Sequence, residues 1–484
     1  MKILYVREPT EEEMAKTLKW SVTTEKILQV VKSKGSITNT ELQQATGYQP
    51  GTIYAQVSIL RRMGLVEDDR SIVKLTSETS QTIKADLIEN VQFIYELALA
   101  ELELEAFEVK FTVANNLREF VLSSSPNIDK LIRRLAYFKT VGGRVTDYYR
   151  LTRYNRTSSV NQYLTHWIYP YKGKFHPQMI RALLNILALR EDEVVLDPFI
   201  GSGTTAVEAQ LLGINCVGID ISPLCVLQSK VKTESIKAIE DIKKLREDAV
   251  HSFSSSNRVN TLLADQATKS YGKFLNSINN EYVKNFYEMA KLVAISDNAR
   301  RGRDIMQSFV KNLDLMIASV EDYVAVSREL NLKLGVADIR QGDSRNLQLK
   351  DESVQGIITS PPYSIALDYI ANDVHAFSAM GCDLDKMRDE FIGVRGKGDV
   401  KIKLYNEDMV KSFAEMHRVL EKGRHCAIII GDATYQGTKV KTINFTIEQC
   451  EKLGFTLIKN INKIIYGLYN VMQADNTLIF CKDR

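Results

Sequence analysis

Downstream of residue 190 the chain alternates between short continuous apolar runs and segments with apolar residues at helical spacing. "EVVLDPF" is followed by "TTAVEAQLLG" and then "INCVGIDIS", which predicts a strand, a helix and a second strand. Runs of this kind recur at "GVADIRQGD", "VQGIITSPPY", "HCAIIIGDAT", "FTLIKNINKIIY" and "NTLIFCK". Strands that alternate with helices predict an α/β fold, a doubly wound parallel sheet covered on both faces. Between Lys232 and Leu334 the alternation stops, and the periodicity predicts a long helical insertion that includes the basic turn "NARRGR".

The amino-terminal part has a different rhythm. "TTEKILQVVKSKG", "TNTELQQATG" and "YQPGTIYAQVSILRRMG" predict three helices, with Pro50 near the first turn of the third. "LVEDDRSIVKLTS" then predicts two short strands around a charged turn. The order resembles a winged helix-turn-helix, with the third helix in the recognition position. Arg61, Arg62 and Lys74 favour DNA as its partner, whereas Glu67, Asp68 and Asp69 disfavour close phosphate approach and leave a protein partner open. From residue 81 the pattern reads as helical, with "ELALAELELEAFEVKF" as an amphipathic connector. Arg144, Arg150, Arg153 and Arg156 interleave with Tyr148, Tyr149 and Tyr154, a composition suited either to phosphate contact and stacking or to a solvated linker. The expected organisation is a winged-helix-like domain over 1–80, a helical connector over 81–160, an α/β domain over 161–231 and 335–484, and the insertion over 232–334.

Bulk properties narrow the class. A chain of 484 residues with 44% hydrophobic and 25% charged residues has ample material for several cores. A net charge of +3 confines any nucleic-acid-binding face to a local patch. Cys216, Cys225, Cys382, Cys426, Cys450 and Cys481 show no metal-like spacing and read as reduced thiols of a cytoplasmic protein. The opening "MKILYVREPTEEEM" turns acidic too early for a secretory leader, and no apolar run approaches the ~18 residues of a membrane span.

Two loops carry candidate chemistry. In "VVLDPFIGSGTTAVEAQLLG" a buried strand ends at Asp197, Gly201-Ser202-Gly203 make a tight turn, and a helix opens at Thr204 with unpaired N–H groups. With Ala206 small enough to serve as a third glycine-like position, a dinucleotide site stays open on this loop alone. Asp220, at the end of the next strand, is spaced to bind ribose hydroxyls, so a nucleoside-type cofactor is expected. The second loop, "TSPPY", leaves its strand through two prolines that cannot continue a sheet. Its carbonyls and tyrosine suit a flat ligand.

"DPFIGSGTT" together with "SPPY" resembles the DNA amino-methyltransferases, which use S-adenosylmethionine to methylate an exocyclic nitrogen of cytosine or adenine. "YPYKGKFHPQMIRALLN", "SPPYSIALDYI" and "EMHRVLEKGRHCAIIIGD" resemble flanking motifs of that family, and the likeness spans about Ile168–Lys230 and Gly335–Arg484. Ser360 is the form associated with N4-cytosine enzymes; N6-adenine members more often have an acidic residue there. The resemblance implies a catalytic loop of Ser360, Pro361, Pro362 and Tyr363, with Tyr363 stacking on a flipped base. It also implies cofactor contacts from Lys174, Phe175, His176 and Pro177; from Asp197, Pro198, Phe199, Gly201, Ser202, Gly203 and Thr204; from Asp220 and Ile221; and from Asp343 and Ser344. No metal is called for, and no Pro-Cys dipeptide offers the thiolate of a C5-cytosine enzyme. Double-stranded DNA is the implied partner, with a cognate restriction endonuclease as a possible second one. An RNA amino group as substrate, or a DNA-binding regulator with an inactive domain, are the competing readings. Many family members place the catalytic loop first; here Asp197 precedes Ser360, and the insertion becomes the candidate target-recognition region.

Overall fold

The computed structural model describes residues 83–123, 126–257, 264–362, 368–435, 438–466 and 472–483, together with parts of 26–75. The chain divides into two units, Met1–Ile83 and Lys84–Arg484. In the first, strand Ser36–Thr38, helix Asn39–Thr46 and strands Val66–Asp69 and Ile72–Leu75 follow in the expected order. The strands form an antiparallel sheet with Ile72–Leu75 in the middle. Ile27, Val31, Ile37, Leu42, Ile53 and Val57 make the buried core of the unit. Arg61 and Arg62 lie outside the described residues.

The second unit begins with a correction. Residues 81–160 are not a helical connector: Ile83–Leu87, Phe111–Ala114, Glu119–Leu122, Phe138–Val141 and Arg144–Val145 form a five-stranded sheet, beside helix Ile94–Ala106. Strands this short show too few alternations for a period of two to compete with the strong helical stripe between them. The arginine- and tyrosine-rich segment is also largely committed to the protein itself. Tyr148 is buried; Arg144 pairs with Asp129 at 2.7 Å, Arg156 grips Asp322 through two hydrogen bonds of 2.6 and 2.7 Å, and Tyr154 Oη donates to Glu329 at 2.5 Å.

The α/β domain is built on seven strands: β1 (Val194–Asp197), β2 (Asn215–Asp220), β3 (Ala337–Gln341), β4 (Val354–Thr359), β5 (Leu420–Gly431), β6 (Phe455–Tyr466) and β7 (Met472–Lys482). Their order across the sheet is β3-β2-β1-β4-β5-β7-β6. The first five are parallel, and β7 runs antiparallel between β5 and β6. Chain direction across the sheet reverses between β1 and β4, which creates a crevice beyond their carboxyl ends where open α/β sheets bind ligands. Around the sheet lie α1 (Pro177–Ile186), α2 (Thr204–Leu211), α3 (Pro223–Glu234), α4 (Glu281–Arg301), α5 (Ile305–Glu329), α6 (Asp399–Val419) and α7 (Thr442–Lys452). Leu196, Ile357, Ile428 and Phe480 pack with Phe413 and Met416 of α6 into one core.

Among the described residues the insertion is helical throughout, as its periodicity predicts. It is not a separate body. Phe286 and Leu292 of α4 and Phe309 and Leu313 of α5 share one buried cluster with Leu227 and Val231 of α3 and with Phe377 and Phe391 from the segment after the catalytic loop.

Candidate nucleoside-cofactor site

The two loops meet through one carboxylate. Asp197, fully buried at the end of β1, accepts from Thr359 Oγ1 at the end of β4 (2.7 Å), from Thr205 Oγ1 in the first turn of α2 (2.7 Å), and from Phe199 N (3.2 Å). Burial raises its pKa to about 6 despite these donors. It therefore lies beneath the ligand crevice and fastens the glycine-loop strand to the catalytic-loop strand.

The glycine loop needs glycine for two reasons. Gly201 and Gly203 both have left-handed backbones, with φ of 48° and 78°. A Cβ on Gly203 would also fall 2.7 Å from Ser229 Oγ of α3. Gly201 N donates to Asp220 Oδ2 (2.9 Å), while Gly201 O accepts from Gln228 Nε2 (3.0 Å) and Ser229 Oγ (3.2 Å). Lys232, fully buried, donates to Ser202 O at 2.7 Å, and burial depresses its pKa far below the usual lysine range. Asp220 is further held by Ser222 N (2.9 Å), and burial raises its pKa to about 6.

Two adjoining cavities occupy the crevice, with about 740 and 480 Å³ of empty space, open to solvent. That volume lies in the range of small-molecule sites. The larger is lined by Pro198, Asp220, Ile221, Asp343, Ser344 and Pro362, with Phe391 and Ile392 supplying apolar surface. The smaller is lined by Gly201, Ser202 and Phe175. Phe199, Ser360, Tyr171 and Tyr369 line both, the last two stacked with ring centroids 6.5 Å apart. A nucleoside fits the larger end: carboxylate acceptors for hydroxyl and amino donors beside an apolar slot for a base. An amino-acid moiety fits the smaller end, against loop backbone.

Asp343 holds this wall in a particular way. Arg345 donates to it through its backbone N and Nε at 2.9 Å to Oδ1 and through NH2 at 2.7 Å to Oδ2, which keeps its pKa below the usual value. Ser344 is bonded to Ser412 Oγ on α6 at 3.0 Å. In the second loop Pro362 O accepts from Tyr405 Oη (2.9 Å). Among the described residues no hydrogen bond reaches Ser360 Oγ or Pro361 O, so both acceptors stay open to a ligand. Tyr363 lies outside the described residues.

Other expected contacts sit further back. Lys174 Nζ donates to His166 O, His176 Nε2 meets Asn161 Nδ2, and Pro177 occupies the first turn of α1. Burial depresses Lys174 to about 7 and His176 to about 4. Thr204 is buried and bonded to Ser202 Oγ at 3.1 Å. Of the "KFHP" run, Phe175 alone lines either cavity.

A family model described as "DNA methylase" matches residues 11–230, the stretch that holds the glycine loop, α2, β2 and Asp220. The chain carries an S-adenosylmethionine-dependent methyltransferase domain. The chain is 32% identical over 145 residues to the type II methyltransferase M.MjaII of Methanocaldococcus jannaschii, covering 30% of this chain and 26% of that one. It is 24% identical over 281 residues to M.MvaI of Kocuria varians, covering 47% and 59%. A tRNA (guanine(10)-N2)-dimethyltransferase of M. jannaschii is 30% identical over 78 residues, covering 16% and 22%. The chain thus spans less than two thirds of the length of each.

The methyltransferase domain also uses residues that motif reading missed. Tyr171 lies within "YPYKGKF" and Tyr369 within "SIALDYI", so both were in reach of the motifs. Asp373, Phe377 and Tyr405 were not, because nothing in their local sequence marks them as wall or support of the crevice.

Proposed function

We propose that the protein is a site-specific DNA methyltransferase that transfers a methyl group from S-adenosylmethionine to N4 of cytosine. The reading is supported above all by the position of Ser360. It stands at the carboxyl end of β4, lines both cavities, and keeps its Oγ and the adjoining Pro361 carbonyl unbonded. An aromatic amino nitrogen is a poor nucleophile while its lone pair is delocalised. Acceptors placed at its two hydrogens draw it toward a tetrahedral geometry, and Ser360 Oγ with Pro361 O are such a pair. Ser360 Oγ then relays one amino proton toward solvent as the new N–C bond forms, while Tyr363 stacks on the extruded base. When bound, S-adenosylmethionine supplies an electrophilic methyl group on sulfonium. Asp220 would accept from the ribose hydroxyls, Ile221, Asp343 and Ser344 would border the adenine, and Gly201 and Ser202 would hold the methionine end, with Phe175 beside them. Asp197, Gly203 and Thr204 shape that loop, and Pro198 and Phe199 close its outer wall.

Double-stranded DNA is the proposed substrate, with the Met1–Ile83 unit read as a winged helix and the insertion as the target-recognition region. The type II names of the relatives favour a cognate restriction endonuclease as partner. The tRNA enzyme among the relatives supports a second reading, an RNA amino group on the same loop.

The test is transfer of labelled methyl to mixed-sequence duplex DNA and to tRNA, followed by nucleoside mass spectrometry, with Ser360→Ala as control. N4-methylcytosine that disappears in the variant supports the proposal. N6-methyladenine corrects the base, and label on tRNA alone overturns the substrate.

A further inference from the structure

Asp373 lines the larger cavity, in the segment that follows the catalytic loop, and its side chain is almost fully buried. A buried carboxylate is costly unless charged and hydrogen-bonded partners compensate it. Here the partners come from two distant parts of the chain. Arg300 at the end of α4 donates from NH2 to Asp373 Oδ1 at 2.6 Å, and Tyr169 Oη donates to the same oxygen at 2.5 Å. Arg300 also donates to Pro170 O (2.5 Å) and Asn372 O (3.1 Å), and Lys172 Nζ donates to Asn372 Oδ1 (2.9 Å). Tyr169 adopts a left-handed backbone, φ 65°, which is unfavourable for a bulky residue and is retained at this junction.

Both donors converge on Oδ1. Among the described residues no hydrogen bond reaches Oδ2, although the carboxylate stands in the wall shared with Asp220 and Ser360. A carboxylate fixed through one oxygen and left with the other unbonded is an oriented acceptor. We propose that Asp373 is a further cofactor-binding residue, accepting a hydrogen bond from a hydroxyl or amino donor of the nucleoside. Arg300 is its positioning residue. The inference rests on the methyltransferase reading of the crevice, and it makes the "NARRGR" turn part of the cofactor site.

The test is calorimetric titration of the full chain with S-adenosylmethionine and, separately, with S-adenosylhomocysteine. Failure of the unmodified chain to bind either would overturn the cofactor reading itself. If it binds, Asp373→Asn is expected to weaken both ligands about tenfold or more, the loss of one charge-assisted acceptor, because both carry the same nucleoside. Asparagine retains an acceptor for Tyr169, and an unchanged melting temperature of the unliganded protein separates binding from folding. Arg300→Met is expected to weaken both ligands equally, with Arg300→Lys recovering part of the loss. Equal affinities in Asp373→Asn and the unmodified chain would overturn the proposal. Weakening confined to S-adenosylmethionine would overturn it too, by placing the carboxylate at the sulfonium. Should Asp373→Asn fail to fold, Tyr169→Phe, which releases the carboxylate from one of its two holders, carries the same comparison.

Discussion

Asp197 sets burial against hydrogen bonding in a way that can be weighed. Its carboxylate is fully buried, and its pKa of about 6 stands above the model value of 3.8 even with Thr359, Thr205 and Phe199 N donating to it. That difference corresponds to ~3 kcal/mol between the protonated and ionised forms in the folded state. The sign follows from linkage: with the folded pKa above the unfolded one, the folded state binds the extra proton between them. The associated stability is complete below pH ~4 and lost as pH rises through ~6. Asp197→Asn cannot ionise, so it should gain on the unmodified protein by ~3 kcal/mol between pH 4 and pH 8. Asp197→Ala strands Thr359, Thr205 and Phe199 N in a dry site and should be less stable than Asp197→Asn by ~2–4 kcal/mol at every pH. Urea unfolding followed by Trp167 fluorescence in a Trp20→Phe background measures both differences. A gap between Asp197→Asn and the unmodified protein that does not change with pH would refute the reasoning. The donors would then outweigh burial, and the carboxylate would be ionised throughout.

Gly203→Ala forces a side chain into a left-handed backbone and against Ser229, and should cost ~2–4 kcal/mol and weaken cofactor binding; adding Ser229→Gly, which removes the clash and leaves the φ penalty, should recover part of the loss in the same denaturation assay. Ser360→Ala should lower single-turnover methyl transfer by ~10²-fold or more while the dissociation constant for S-adenosylmethionine stays within about twofold. Asp220, with its pKa raised to about 6, should lose its acceptor role as it takes up a proton. Cofactor affinity should therefore fall by about tenfold per pH unit below 6, and calorimetric titration between pH 5 and 8 checks the slope.

The parts of the site that one stretch of chain builds alone were legible before any coordinates. The strand ending at Asp197, the turn through Gly201 and Gly203 and the acid at Asp220 all follow from local pattern, because a buried strand, a left-handed turn and a helix start each impose their own residue types. Contacts made between distant stretches left no such trace. Arg300 and Asp373 are ordinary charges in their own surroundings and acquire a role only where α4 ends beside the segment after the catalytic loop. Arg345 shows the same limit: it sits two residues from Asp343, but its hold on that carboxylate depends on a side-chain rotamer that spacing does not encode. The five short strands between residues 83 and 145 escaped notice because their pairing, not their composition, makes them a sheet.

The shared core of the insertion bears on how specificity can be altered in this protein. If sequence preference resides in α4 and α5, it cannot be exchanged as a cassette cut at the ends of the insertion. Excision would leave Leu227 and Val231 of α3 and Phe377 and Phe391 facing water on a surface that now has no partner. A transplantable block has to carry the helices after the catalytic loop with it, so a change of recognised site and a change beside the chemistry are inherited together. Relatives that differ in target are expected to differ in both segments at once.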